Sequence, residues 1–246
     1  MMTTFIIFKS LTQQTGRHLL KCYGHVRSGK RVTGTCSYLN EYKEGEKQTC
    51  QASTLQELLD LPTLLKLFAH RSSRMVFAVG KSFEDATSTM SFQDAWNFHL
   101  ADFIQLNEAH CTYMFLRAFI ARIQDLQDSS ILKALTPLCQ LYALSNIEDK
   151  LGDFIVDGLI SPNQAALVSR GVKHLLHIIR TNVVALVDAF DFSDYYLNSS
   201  LGRYDGNVYE DLFERAKQCP LNKKEVSDAY TLHLSKLIKG KILSSL

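Results

Sequence analysis

Leu201-Gly-Arg-Tyr-Asp-Gly-Asn-Val-Tyr-Glu-Asp-Leu-Phe-Glu-Arg-Ala-Lys-Gln-Cys-Pro-Leu-Asn222 is the most sharply punctuated stretch of this 246-residue chain. Gly202 and Gly206 bracket an Arg203-Tyr204-Asp205 turn, and a helix is expected directly after Asn207, a residue type suited to N-capping. Glu210 and Asp211 fall in its first turn, where unpaired backbone N–H groups favour carboxylates, and Pro220 ends it. Arg203, Tyr204, Asp205 and Gly206 are the candidate site residues. A charged pair and an aromatic on a tight turn can hold a ligand, because loops on rigid scaffolds often do. They equally make a structural clasp, with Arg203 pairing with Asp205 or satisfying a helix C-terminus, and the sequence favours the clasp.

The same helical grammar extends through the rest of the chain. Ser161-Pro162 places Ser at an N-cap and Pro at the first helical position. From there Val168, Val172, Leu175, Leu176, Ile179, Val183, Leu186 and Val187 trace an apolar stripe to Phe190. Ser53 or Thr54 with Glu57 forms a capping box ahead of Leu58, Leu61, Leu65 and Phe68. A second start signal at Ser82 opens an amphipathic run through Phe92, Trp96, Leu100, Phe103 and Leu106 to Tyr113, Met114 and Ile120. That run is either one helix of unusual length or two with a kink near Ser88–Ser91. Ile131–Leu144 forms another helix, with Pro137 as a bend or break, and the first helix covers Thr3 to Val26. Gly29, Gly34 and the polar run Asn40–Gln48 make a loop, with an extended piece expected at Val32–Leu39. The sum is an all-α chain, an antiparallel helical bundle with one surface loop in its first fifth. Large apolar side chains in the first helix point to a partner beyond this chain.

Composition narrows the class. Apolar residues make up 46% and charged residues 21%, ordinary for a globular protein, and the net charge of +2 offers no global attraction to nucleic acid. Charge is uneven, however. Residues 1–40 carry Lys9, Arg17, Lys21, Arg27, Lys30 and Arg31 and no carboxylate before Glu41, an imbalance suited to a phosphate or an acidic surface, or simply to a solvated basic face. Six cysteines lie far apart with no Cys-x-x-Cys pair, and no run approaches the roughly 20 apolar residues that span a bilayer. Phe5-Ile-Ile-Phe8 is too short for the core of a signal peptide, so reduced, mostly buried thiols are expected.

Several motifs point to chemistry without completing it. Gly24-His-Val-Arg-Ser-Gly29-Lys30 satisfies most of a phosphate-cradling loop, but Arg31 stands where a magnesium-binding hydroxyl belongs, and a helix rather than a strand precedes it. Cys22 with His25, and His174 with His177, have zinc-like spacing but offer two ligands each, so no metal site is assigned. His110 and Cys111 are neighbours on a helix, about 100° apart, and packing rather than thiol activation is expected. Asn198-Ser-Ser200 is a glycosylation sequon expected to stay bare without a secretory signal.

Taken as a string, Leu201–Asn222 resembles the C-terminal end of the peroxisomal acyl-CoA oxidases, and so do Val184-Ala-Leu-Val-Asp-Ala-Phe-Asp-Phe192 and Pro220-Leu-Asn-Lys-Lys-Glu-Val226. Gly16–Tyr23, Ser28-Gly-Lys30 and Ser37-Tyr-Leu-Asn40 look like the family's helix and loop just after its active site. Asn107–Cys111, Leu141-Tyr142 and Gly152-Asp-Phe154 fit the middle of its C-terminal helical region. The resemblance implies residues 1–45 as the end of that helix plus its loop, and 46–246 as the C-terminal helical domain. Complete members of the family are FAD enzymes that oxidise acyl-CoA to trans-2-enoyl-CoA, pass the electrons to oxygen and yield hydrogen peroxide. Their catalytic glutamate lies in a segment resembling Thr-Tyr-Glu-Gly-Glu-Asn, just before the stretch matching Thr15–Asn40. This chain has Met1–Gln14 there instead, so no catalytic residue is carried over.

The expectation is therefore a C-terminal portion, whether from a truncated gene model, a downstream start or an isoform, that binds no FAD alone. Its implied partners are the oxidase core domains and a homodimer mate. A non-catalytic module that pairs with full-length oxidase subunits is the alternative. Ser244-Ser245-Leu246 resembles the family's Ser-Lys-Leu peroxisomal address without its central lysine; absent that address, the cytoplasm is expected.

Overall fold

A computed structural model describes residues 2–238, with side chains from Gln14 onward (Lys236 apart), and no strand occurs among the described residues. Contacts divide the chain after Asn182 into two units, Met1–Asn182 and Val183–Leu246. In the first unit the long helices are α1 (Met2–Arg27), α3 (Leu61–Thr89), α5 (Leu100–Asp125), α6 (Ser129–Asp149) and α8 (Pro162–Arg180). Short helices α2 (Leu55–Leu58), α4 (Phe92–Phe98) and α7 (Leu151–Ile155) join them.

Caps explain where these helices begin. Ser161 and Gln164 form a reciprocal capping box with Pro162 at the first position of α8. Asp60 accepts from the Thr63 N–H at the start of α3, and Asp128 accepts from Ser130 and Ile131 N–H at the start of α6. Apolar spacing explains which face turns inward. Leu167, Val168, Gly171, Leu175 and Ile179 are buried on α8, and Leu64, Leu67, Phe68, Met75, Val76 and Phe83 on α3. Each large apolar side chain so buried contributes about 1.5–3 kcal/mol.

Cross-helix contacts set the directions. Ser72 and Phe83 of α3 approach His110 and Phe103 of α5 through Tyr38 and an aromatic contact, so this pair is antiparallel. Tyr142 with Thr112, and Lys150 with Glu108, make α5 and α6 antiparallel; Gly171 beside Leu144 and Ser169 with Glu148 do the same for α6 and α8. Tyr23 against Phe77 and Arg27 against Glu84 instead run α1 parallel to α3, which requires the long return through residues 28–60. Gly80 permits the close approach: a Cβ there would stand 2.6 Å from the Tyr23 ring.

Four local expectations are corrected. Ser82 starts nothing; α3 passes through it to Thr89 because the buried stripe continues to Phe83, and the break comes at Met90, with Ser91 capping α4 by accepting from the Asp94 N–H. The Thr54 capping box serves only the four-residue α2, since Pro62 demands a fresh start at Asp60. Val32–Leu39 holds no extended piece: residues Gly34–Glu41 form a 3-10 helix. No neighbouring strand is there to pair with, and the Asn40 side chain accepts from Val32 N–H and donates to the Val32 and Ser37 carbonyls. The stripe drawn to Phe190 stops at Arg180, with a turn at Thr181-Asn182 before α9 (Val183–Asp188).

The second unit contains α9, α10 (Asp194–Leu197), α11 (Val208–Gln218) and α12 (Ser235–Ile238), with 3-10 turns at Ser200–Gly202 and Pro220–Asn222 and a π turn at Tyr230–Leu234. Among its described residues only Ser200 is buried.

Candidate functional site

The Arg203–Gly206 turn is held by its own polar atoms. Asp205 accepts from the Arg203 Nε–H at 2.9 Å and from the Asn207 backbone N–H at 3.0 Å, and a second Arg203–Asp205 contact completes a fork. Asp194 Oδ1 accepts from the Tyr204 N–H at 3.0 Å, and Gly206 takes φ +74°, a conformation L side chains rarely adopt. Asp211 accepts from Ser200 Oγ and from Arg215 Nε at 2.7 Å, with Arg203 Nη1 at 3.4 Å. Hydrogen bonds from Arg203 and the Asn207 N–H hold the Asp205 carboxyl well below its ordinary range. Those from Ser200 and Arg215 lower Asp211, and Arg203 is raised by its bond to Asp205. Asn207 caps α11 without a side-chain bond of its own.

Asp205 and Asp211 are thus both engaged with arginines and neighbouring donors. What the turn presents outward is aromatic: Tyr204 is 80% exposed, alongside exposed Tyr195, Tyr196, Tyr209 and Phe213 elsewhere in the unit, and Phe190 stacks on Phe192 at 6.1 Å. Such exposed aromatic side chains are suited to packing against another surface. Asn198, in the sequon, takes φ +42° at the end of α10, and its side-chain oxygen accepts from Arg215. Ser244, Ser245 and Leu246 lie outside the described residues.

In the first unit several buried polar groups also pair among themselves, while His70 Nδ1 and His99 Nε2 stay without a hydrogen-bond partner. The Tyr38 hydroxyl lies 2.7 Å from Ser72 Oγ and 2.9 Å from His110 Nδ1, fastening the 3-10 segment to α3 and α5. Burial, with a smaller contribution from His18, pushes His110 down to about 4, and burial pushes Tyr38 up, so both are neutral near pH 7. Cys111 turns away from His110, with Sγ 3.5 Å from Asn107 Oδ1. Arg71, only 2% exposed, donates to Asp153 at 2.7 and 3.0 Å, and His70 Nε2 lies 2.6 Å from Asp157, tying α3 to α7 and the residues after it.

A cleft of about 1110 Å³ is lined by Lys30, Arg31, Lys66 and Arg117 against a single acid, Glu41. The phosphate-loop pattern does not form in it: Gly24 lies inside α1, and the chain after Gly29 enters the 3-10 helix rather than an α-helix. His174 and His177 are exposed on α8. Cys22 lies not with His25 but with His18 and Cys36, their ligand atoms all within 4.8 Å of one another. Hydrogen bonding between the two thiols lowers Cys36 and raises Cys22. His18 is visible from sequence as the i−4 neighbour of Cys22; Cys36, 14 positions further on, carries no spacing signal.

The chain resembles known proteins along nearly all its length. The family model described as acyl-CoA oxidase matches residues 60–239. Peroxisomal acyl-coenzyme A oxidase 1 of Phascolarctos cinereus is 41% identical over 228 residues, covering 91% of this chain and 34% of the relative. Acyl-CoA oxidase 1 of Arabidopsis thaliana superposes with a TM-score of 0.83 at 34% identity, over 94% of this chain and 35% of that one. Acyl-CoA oxidase-1 of Caenorhabditis elegans, solved in complex with FAD and ATP, gives 0.81 at 28% identity, over 93% and 34%. The chain therefore spans about a third of the length of the curated relatives it matches.

Proposed function

Because the chain belongs to the acyl-CoA oxidase family, we propose that its 246 residues supply the C-terminal helical part of an FAD-dependent peroxisomal acyl-CoA oxidase and do not catalyse the reaction by themselves. The parent reaction converts acyl-CoA and oxygen to trans-2-enoyl-CoA and hydrogen peroxide. Residues 1–45 stand for the helix and loop after the active site and 46–246 for the C-terminal domain. The Arg203–Gly206 turn is a rigid clasp at its surface, and Ser244–Leu246 serves as a peroxisomal address.

The observation that carries this reading is the family match over 60–239 together with a second unit whose described apolar side chains are all left unburied. Helices without a core of their own are stabilised by packing on another surface, and the oxidase core domains and dimer mate are the surfaces this reading assigns. Acyl-CoA oxidation needs a carboxylate free to take the substrate's α-proton and a flavin to take the hydride. The ion pairs named above, Arg71 with Asp153, His70 with Asp157 and Arg203 with Asp205, are already engaged with one another, which supports inactivity of these residues alone.

The cations of the cleft at Lys30, Arg31, Lys66 and Arg117 suit the charge of a pyrophosphate. That cleft is open, with Tyr38 and Tyr113 as its aromatic lining. This reading assigns the cofactor to the complete oxidase. The test is acyl-CoA-dependent peroxide production by the purified chain with FAD added. No peroxide above a boiled control is expected, and peroxide above it overturns the reading. Co-expression with a full-length oxidase separates the alternative, since stable mixed dimers would make the chain an interaction module.

A further inference from the structure

We propose that His18, Cys22 and Cys36 form a zinc site that ties α1 to the 3-10 helix following it. His18 and Cys22, one helical turn apart, face the same side of α1 with Nε2 and Sγ 3.6 Å apart. Cys36 is delivered from the return segment, whose course is set by the bend at Gly29, the positive φ of Gly34 and the Asn40 side-chain bonds to Val32 and Ser37. The three ligand atoms lie within 4.8 Å of one another.

Zinc bonds of about 2.0 Å to nitrogen and about 2.3 Å to sulfur, at tetrahedral angles, set ligand–ligand edges of about 3.6 Å for N–S and about 3.8 Å for S–S. The His18–Cys22 edge already has that length, and the remaining edges close by at most about 1 Å. Two sulfurs and an imidazole, with no carboxylate, select a thiophilic ion over magnesium or calcium. Cys22 and Cys36 are buried while His18 is exposed, so the ion enters from solvent past the imidazole, and water takes the fourth position. Both thiols lose their protons to solvent as the ion binds. Neither His25 nor the exposed His174–His177 pair belongs to such a three-ligand set.

The test uses the full chain, reduced and freed of metal, titrated with Co²⁺ and then Zn²⁺. One Co²⁺ per chain is expected, with thiolate-to-cobalt charge-transfer absorption and tetrahedral d–d bands, both removed by Zn²⁺. Cys36→Ser should lose the charge-transfer intensity and Cys219→Ser should keep it. His18→Gln, an exposed substitution that leaves the core intact, should weaken binding by about tenfold or more. Zn²⁺ should also raise the wild-type melting temperature, with a smaller rise in His18→Gln, a readout that stands even where Cys36→Ser fails to fold. Absence of thiolate–cobalt absorption overturns the proposal. So do equal affinities of wild type and His18→Gln, or a Cys22–Cys36 disulfide in the isolated protein that takes up no metal after reduction.

Discussion

Acidification should destabilise the first unit through His110. In the folded chain burial holds this imidazole at about 4, against 6.5 for the free group, so the native state binds its neutral form. A base with a depressed folded pKa contributes stability that is complete above the unfolded value and is lost as pH falls through the folded one. The full difference corresponds to about 3 kcal/mol, and about 2 kcal/mol of it should vanish between roughly pH 7 and pH 5. The chain has one tryptophan, Trp96 on α4, buried 4.4 Å from the Phe103 ring of α5, the helix that carries His110, which makes its fluorescence a local probe. Urea unfolding read by Trp96 at the two pH values should show that loss in wild type. His110→Gln should be less stable near neutrality, because it loses the Tyr38 bond and ring packing, yet its stability should fall much less on acidification. Parallel pH dependences in the two proteins would refute the reasoning, since carboxylates common to both would then account for the whole effect.

Three further outcomes follow from particular contacts. Asp153→Ala leaves the Arg71 guanidinium, 2% exposed, without its carboxylate, and should lower stability by about 3 kcal/mol in the same urea assay. Gly80→Ala gains up to about 1 kcal/mol of helix propensity but drives a methyl into the buried Tyr23 ring, so a net loss of about 1–2 kcal/mol is expected in the Trp96 midpoint. The chain should bind the dye ANS. Replacing the stacked, exposed pair with Phe190→Ser/Phe192→Ser should reduce that fluorescence while changing the Trp96 transition by less than about 0.5 kcal/mol.

Much of the helical framework is legible residue by residue. Ser161-Pro162 with Gln164 marks the start of α8 where the structure places it, because that cap acts on backbone N–H groups within one turn of itself; Asn207 and Pro220 also fall at the limits of α11, though Asn207 makes no side-chain cap bond. The choice between Ser82 and Ser91 as a start was not legible. Both residues are competent caps, and what decides between them is the buried run on α3 continuing to Phe83 while Met90 leaves the helix. The 3-10 helix at Gly34–Glu41 was hidden for a related reason: β-prone residues make a strand only beside another strand, and here their backbone groups are satisfied by Asn40 and by their own turns.

The sequence by itself determined the all-helical class, the family, some helix limits such as the start of α8 and those of α11, and the Arg203–Asp205 turn, set by residues a few positions apart. Tertiary structure alone decided which groups meet: Tyr38 with Ser72 and His110 across 34 and 72 positions, Arg71 with Asp153 across 82, and Cys36 with Cys22 and His18. Those meetings depend on how whole helices pack. Burial of apolar area is non-directional and summed over many side chains, so no short stretch of sequence carries it.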